Sequence, residues 1–249
     1  MLHWNTTVHD VTWPHRSWSV RHHLATTVHW SAPPTGVRRP GCRDERTPAC
    51  ARPARETQWS RTGRHTGRTD VALTELGQRQ ADALGSMLRG RPFAAVLVSP
   101  LERATETLRR ASVDVERVRV LEELVEWDYG DYEGLTTEEI RRSVPDWTIW
   151  TAPVPGGEST ADVGRRADLA ISRALDESGD VAIFAHGHLL RVLTARWLGL
   201  DVPSGRHFAL ATATVSTLGY ERDTPVILLW NQAGYLRDLG SSAAGTVPG

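Results

Sequence analysis

The chain has 249 residues, 40% of them hydrophobic and 24% charged, with a formal net charge of −1. This composition fits one globular domain or a domain with an appendage, and the balanced charge gives no electrostatic ground for a nucleic-acid partner. No apolar run approaches the ~18–20 residues that cross a bilayer, and the polar, His- and Trp-bearing start is unlike a secretory signal. Two cysteines make no disulfide scaffold, so the expectation is a cytoplasmic protein without a membrane partner.

Residues 1–55 differ from the rest. The first thirty hold four of the ten tryptophans and six of the ten histidines, with no helical or strand period behind them. Residues 1–55 carry 8 arginines against 3 acids, whereas the remaining 194 carry 21 arginines against 27 acids. Such a segment lacks the pattern to build a core and is expected to be disordered. Cys42 and Cys50 are seven residues apart between the pair, a spacing that matches no usual zinc ligand set. There is no lysine, so every basic side chain is arginine, the bias that a GC-rich coding sequence produces.

From Glu56 the signals become regular. Thr74 caps a helix that runs through Ala81, Leu84 and Leu88 toward Gly90. The apolar run 94–98 between Pro92 and Pro100 predicts a buried strand. A helix follows over about 101–111, then a strand at 118–121. Ser159 caps an amphipathic helix with Val163, Ala167, Ala170 and Ile171 on one face, and 181–185 is the clearest buried strand. A helix from about Leu189 to Leu198 and strands near 208–219 and 225–230 complete the pattern. Alternating strands and helices predict a three-layer α/β/α fold whose mostly parallel sheet is covered by helices on both faces. Functional residues then gather at the strands' carboxyl ends, which puts Ser99, Arg103, Glu126 and His186 on one edge.

Taken singly, these residues carry little. His186, in Phe184-Ala185-His186-Gly187-His188, follows a strand and opens a helix, where backbone N–H groups can meet an anion; a lone histidine there is as readily a satisfied core residue. Gly187 beside it allows close approach of a ligand to the backbone. Arg103 could grip a phosphate with a two-pronged guanidinium, or lie on the surface. Glu126, among the rings of Trp127, Tyr129 and Tyr132, could hold a raised pKa and act as a general acid, or belong to a solvated acidic loop.

Their order is specific. Glu56-Thr57-Gln58-Trp59-Ser60, Gly63-Arg64-His65-Thr66-Gly67-Arg68-Thr69-Asp70, Ser99-Pro100-Leu101-Glu102-Arg103-Ala104, the 126–134 loop, Gly156-Gly157-Glu158-Ser159 and 184–188 occur in succession. This arrangement resembles the histidine phosphatase superfamily, the phosphoglycerate-mutase-like enzymes, across 56–231. The resemblance implies a metal- and cofactor-independent attack of a histidine on phosphorus, with small-molecule phosphate esters as ligands. It implies that Arg103 is the second clamp arginine, His186 the second histidine and Glu126 the proton donor. Thr66 and Gly67 resemble the loop that touches substrate, and Arg64, Tyr129, Gly187 and His188 are further substrate-site candidates. The loops around 63–70, 127–134 and 184–188 look like a subgroup acting on sugar bisphosphates, with broad acid phosphatases as relatives. Arg64 and Arg68 offer two guanidiniums for a distal phosphate, or are solvated loop residues. A short body of 194 residues favours phosphatase over mutase within the resemblance.

One part of the pattern is absent. The family opens with a strand ending Arg-His-Gly-Glu-Thr; here Glu56-Thr57 are preceded by Pro53, Ala54 and Arg55. Alanine in the nucleophile's slot cannot form a phosphohistidine. The genetic code permits CCG-GCA-CGG for 53–55, which read one nucleotide later gives Arg-His and the start of Gly. The four preceding codons then permit Leu-Val-Leu-Val, an apolar strand. The expectation is therefore an out-of-frame segment over 1–55, a phosphatase domain over 56–240 and a flexible tail over 241–249. A chain truly lacking that first, central strand is expected to be unstable, or to survive as an inactive phosphate-binding relative.

Overall fold

In the computed structural model, residues 56–239 are described. The frame slip, Ala54 in the nucleophile slot, the missing first strand, the Cys42–Cys50 spacing and the tail all lie outside them.

A short helix α1 (Gln58–Arg61) is closed by a capping box between Thr57 and Ser60. Helix α2 (Glu75–Leu88) starts at the Thr74 cap, whose hydroxyl accepts from Gly77 N. The buried strand β1 (Ala95–Val98) leads into α3 (Glu102–Ala111), and β2 (Val118–Val120) follows. Helix α4 (Thr137–Arg141), which the apolar pattern does not announce, rests on a capping box between Thr136 and Glu139. Helix α5 (Thr160–Leu175) starts at Ser159 as the sequence predicts, again with a capping box. Strand β3 (Val181–Phe184), α6 (Gly187–Trp197) and the hairpin β4 (Val215–Glu221)–β5 (Thr224–Gln232) follow.

Among the described residues, β2, β1 and β3 form a parallel sheet in that order, with Val98 beside both Val120 and Phe184. Successive strand residues face opposite sides, and the two faces bury different helices. Val96, Val98, Ala182 and Phe184 pack with Leu84 and Leu88 of α2 and Ala104 and Ala111 of α3. Leu97, Val181 and Ile183 pack with Val163, Ala167 and Ile171 of α5 and Leu189 and Leu193 of α6. That alternation is the three-layer α/β/α fold, with the parallel sheet in the middle. Strands β4 and β5 form a separate antiparallel pair.

Two boundaries differ from the sequence reading. The strand expected from 208 starts only at Val215, because 208–214 is held by β5 side chains rather than by a ladder. Trp230 Nε1 donates to Ala209 O, and Ala211 N donates to Asn231 Oδ1. Helix α6 begins at Gly187, two residues early, because an acceptor from elsewhere in the chain satisfies its first amides.

Candidate active site

Ser99 and His186 stand at the carboxyl ends of β1 and β3, one residue and two residues past the strands. Their side chains meet: His186 Nε2 lies 2.7 Å from Ser99 Oγ. Arg103, in the first turn of α3, donates from Nε to His186 Nδ1 at 3.1 Å. A guanidinium only donates, so Nδ1 is the acceptor and the ring's proton is on Nε2, donating to Ser99. Ser99 therefore has no base to take its proton there, which rules it out as a nucleophile activated by His186.

Arg103 also gathers the loop before α2. Its Nη1 donates to Thr69 O, and its Nη2 to Thr66 O and Gly67 O, at 2.9, 3.2 and 2.8 Å. With the bond to His186, four of its five N–H groups are matched inside the protein. The two-pronged grip expected from sequence is thus directed at backbone carbonyls, and one N–H is left for a ligand. Burial pushes the Arg103 pKa down, opposed by the charges of Glu126 and Asp70. Asp70 in turn accepts from Glu102 N with both carboxylate oxygens, capping α3 where Leu101 has no side-chain cap.

Glu126 is buried against the start of α6. Its Oε1 accepts from Trp127 N and Leu189 N at 2.9 and 2.8 Å, and its Oε2 from His188 N at 3.0 Å. The anion at this helix N-terminus is thus a side chain of the protein itself. Burial raises the Glu126 pKa, while the three amides and Arg103 pull it down without cancelling the rise. Oε1 holds two donors and Oε2 one, which makes Oε2 the oxygen with room for a transferable proton. A Cβ on Gly187 would stand at an ordinary 3.9 Å from Oε2, so Gly187 faces the acid directly.

Beside Glu126 lies an aromatic wall. Tyr129 Oη and His188 Nδ1 are 2.6 Å apart, the His65 ring is 4.7 Å from Tyr129, and Trp150 is 5.3 Å from His188. Desolvation raises the Tyr129 pKa well above its ordinary value and lowers that of His188 well below. Arg191 of α6 covers Trp150, its guanidinium carbon 4.5 Å from the ring centroid. Two backbone carbonyls, of Gly205 and Arg206, accept from it, and among the described residues it has no ion pair. Burial lowers its pKa, and the charges of Glu126 and Tyr129 act on it.

The structure thus brings together Arg103, Glu126, His186, Tyr129, Gly187 and His188, with the Thr66 and Gly67 carbonyls on Arg103. Arg64 and Arg68 are otherwise engaged. Arg64 donates to Gly134 O and pairs with Glu139, and Arg68 pairs with Asp128 at 2.7 Å. Glu133 accepts from Gly67 N and Thr69 N. Arg191 escaped the sequence reading, although it lies one helical turn from His188 at i+3 and so on the same face. Among the described residues, no three His, Cys, Asp or Glu side chains cluster as a metal site, and no helix is long and apolar enough to cross a membrane.

The model of the histidine phosphatase superfamily (branch 1) matches residues 56–233. The chain belongs to this superfamily. It is 42% identical over 184 residues to an acid phosphatase of Mycobacterium tuberculosis, covering 72% of this chain and 90% of the relative. To a sedoheptulose 1,7-bisphosphatase of Saccharomyces cerevisiae it is 35% identical over 181 residues, 59% of this chain and 66% of that one. The solved structure of a Mycobacterium tuberculosis open reading frame product superposes with a TM-score of 0.70 at 35% identity, covering 87% of this chain and all of that one. The superfamily's phosphoglycerate-mutase-like α/β/α fold is the one seen here, and the chain stands among the superfamily's phosphatases.

Proposed function

We propose that the gene encodes a phosphomonoester hydrolase that works through a phosphohistidine on small phosphorylated metabolites, sugar bisphosphates foremost. A histidine in the slot of Ala54 would attack phosphorus and expel the ester oxygen. Glu126 Oε2–H supplies the proton that this alkoxide needs as it leaves. The resulting Glu126 carboxylate then takes a proton from water as the water attacks the phosphohistidine, which regenerates the acid and frees phosphate. His186 is held at the carboxyl end of β3 by Arg103 and Ser99. The observation that carries this reading is Glu126: a buried carboxyl with a raised pKa, seated on the first amides of α6 beside the Arg103–His186 pair.

The sugar-bisphosphate reading is supported by the Saccharomyces relative's name and by Arg191, a half-buried cation near the acid with no ion pair among the described residues, suited to a second phosphate. Ala54 favours one further reading, a phosphate-binding relative without turnover. Hydrolysis of an aryl phosphate decides between the two. The chain as written should be silent, and the frame-restored chain, with Leu-Val-Leu-Val over 49–52 and Arg-His-Gly over 53–55, should turn over. Silence of both, with a sugar phosphate still bound, would overturn the hydrolase reading. Resequencing the DNA across codons 45–60 tests the slip itself.

A further inference from the structure

Glu126 sits on a loop with little regular structure, between a 3-10 turn at Glu122–Leu124 and another at Gly130–Tyr132. Something must hold its backbone. Arg166, on the second turn of α5, donates from Nη1 to Glu123 O and Val125 O, both at 2.8 Å, and from Nη2 to Glu126 O at 3.3 Å. The same guanidinium grips both oxygens of Glu158 at 2.6 Å. Glu158 closes the ring from the other side. Its Oε2 accepts from Asp128 N, its carbonyl from Trp127 Nε1, and its N–H donates to Asp128 O. Both side chains are largely withdrawn from solvent, at 17% and 14% exposure.

We infer that the Arg166–Glu158 pair is a positioning clamp for Glu126, fixing the backbone of 123–128 so that the carboxyl stays seated on the amides of His188 and Leu189. The carbonyls of Glu123, Val125 and Glu126 and both backbone groups of Asp128 are tied to one of these two residues. A planar guanidinium suits the task, because it can serve three carbonyls and a carboxylate at once, whereas an ammonium cannot span them. The clamp touches neither the aromatic wall nor the Arg103–His186 pair. Its catalytic meaning rests on Glu126 being the proton donor; the seating of Glu126 does not.

The test follows the Glu126 carboxyl carbon and the His188 and Leu189 amide protons by NMR across pH, in the full chain and without any turnover. In the unaltered chain the two amides should track the carboxyl's titration. In Arg166→Met the Glu126 midpoint should fall toward the ordinary glutamate value, and both amides should cease to follow it. Loss of a nearby cation by itself would move the midpoint the other way, upward, so the direction separates seating from charge. Arg103, Arg191 and Tyr129, the other groups whose charge acts on Glu126, are all retained. Arg166→Lys should fall between the two, and Arg173→Met, which removes a cation from the exposed side of α5, should behave like the unaltered chain. A native or raised midpoint with the amide response intact in folded Arg166→Met overturns the clamp. Should that variant not fold, native titration in both Arg166→Lys and Glu158→Gln overturns it equally.

Discussion

Arg103 Nε and His186 Nδ1 lie 3.1 Å apart, and the chemistry of the pair runs one way. The arginine can only donate, so it selects the tautomer of the histidine and leaves Nε2–H to donate to Ser99 Oγ. The same arginine holds the carbonyls of Thr66, Gly67 and Thr69. One residue therefore sets both a donor ring and the loop beside it.

Arg103→Lys should undo both at once. An ammonium cannot reach the ring nitrogen and three carbonyls together. Charge-assisted hydrogen bonds contribute about 1.5–3 kcal/mol each, so affinity for inorganic phosphate or vanadate should fall roughly 10- to 100-fold. Isothermal titration measures it, and nitrogen NMR of His186 should show Nδ1 unprotonated only in the unaltered chain.

Gly67 is tested by size. A Cβ there would stand 2.6 Å from Glu133 Oε2, 2.7 Å from Trp127 O and 2.9 Å from Tyr129 Cδ2. The glutamate tip can move, but Trp127 O is main chain and belongs to the Glu126 loop. Gly67→Ala should cost about 1–3 kcal/mol of stability, read as a lower urea midpoint, and should disturb Tyr129.

Residues whose role is local were legible in the sequence. Thr74 and Ser159 cap their helices because the cap is written in the residue and its neighbours three positions on. The apolar runs of β1 and β3 predict strands because both faces are covered. Arg166, Arg191 and Asp70 were not legible, because each acts on partners 30 to 40 or more residues away or through the fold, and an isolated arginine or aspartate carries no mark of that. The anion expected at the start of α6 is real, but it is the Glu126 carboxyl, and only the meeting of two distant loops reveals it.

His65 gives the chain an acid weakness. It is buried against Tyr129 and Trp147, and desolvation lowers its pKa from 6.5 to about 4; His188 shifts the same way. Between those values the unfolded chain binds a proton that the folded chain refuses, so stability is full above pH 6.5 and is lost as pH falls toward 4. For His65 alone the loss should reach about 3 kcal/mol. Urea denaturation at pH 7 and pH 4.5 should show the drop, and His65→Gln, which can still meet Thr137, should remove His65's share of it and leave that of His188.

Glu126→Gln, made in the frame-restored chain with its histidine at position 54, separates proton donation from binding. The amide keeps the shape and loses the transferable proton. Sugar-phosphate turnover should fall by ~10²–10⁴, an aryl phosphate with a good leaving group should suffer much less, and phosphate affinity should change little. A loss of binding with turnover intact would make the loop a lid and send the search for the acid to Asp128 or Glu133.

Arg191→Met tests the substrate class. In the same histidine-bearing chain, Arg191→Met retains an apolar stem over Trp150 and removes only the cation and its donors. If the guanidinium meets a second phosphate, affinity for a sugar bisphosphate should fall about 10- to 100-fold, while an aryl monophosphate is hydrolysed as before. Arg64→Met is the contrast: its partners are Gly134 O and Glu139, so it should lower stability without changing the ratio between the two substrates. An equal loss on both substrates in Arg191→Met would mean that this cation acts on Glu126 or on the reacting phosphate, and the preference for doubly phosphorylated sugars would lose its structural support.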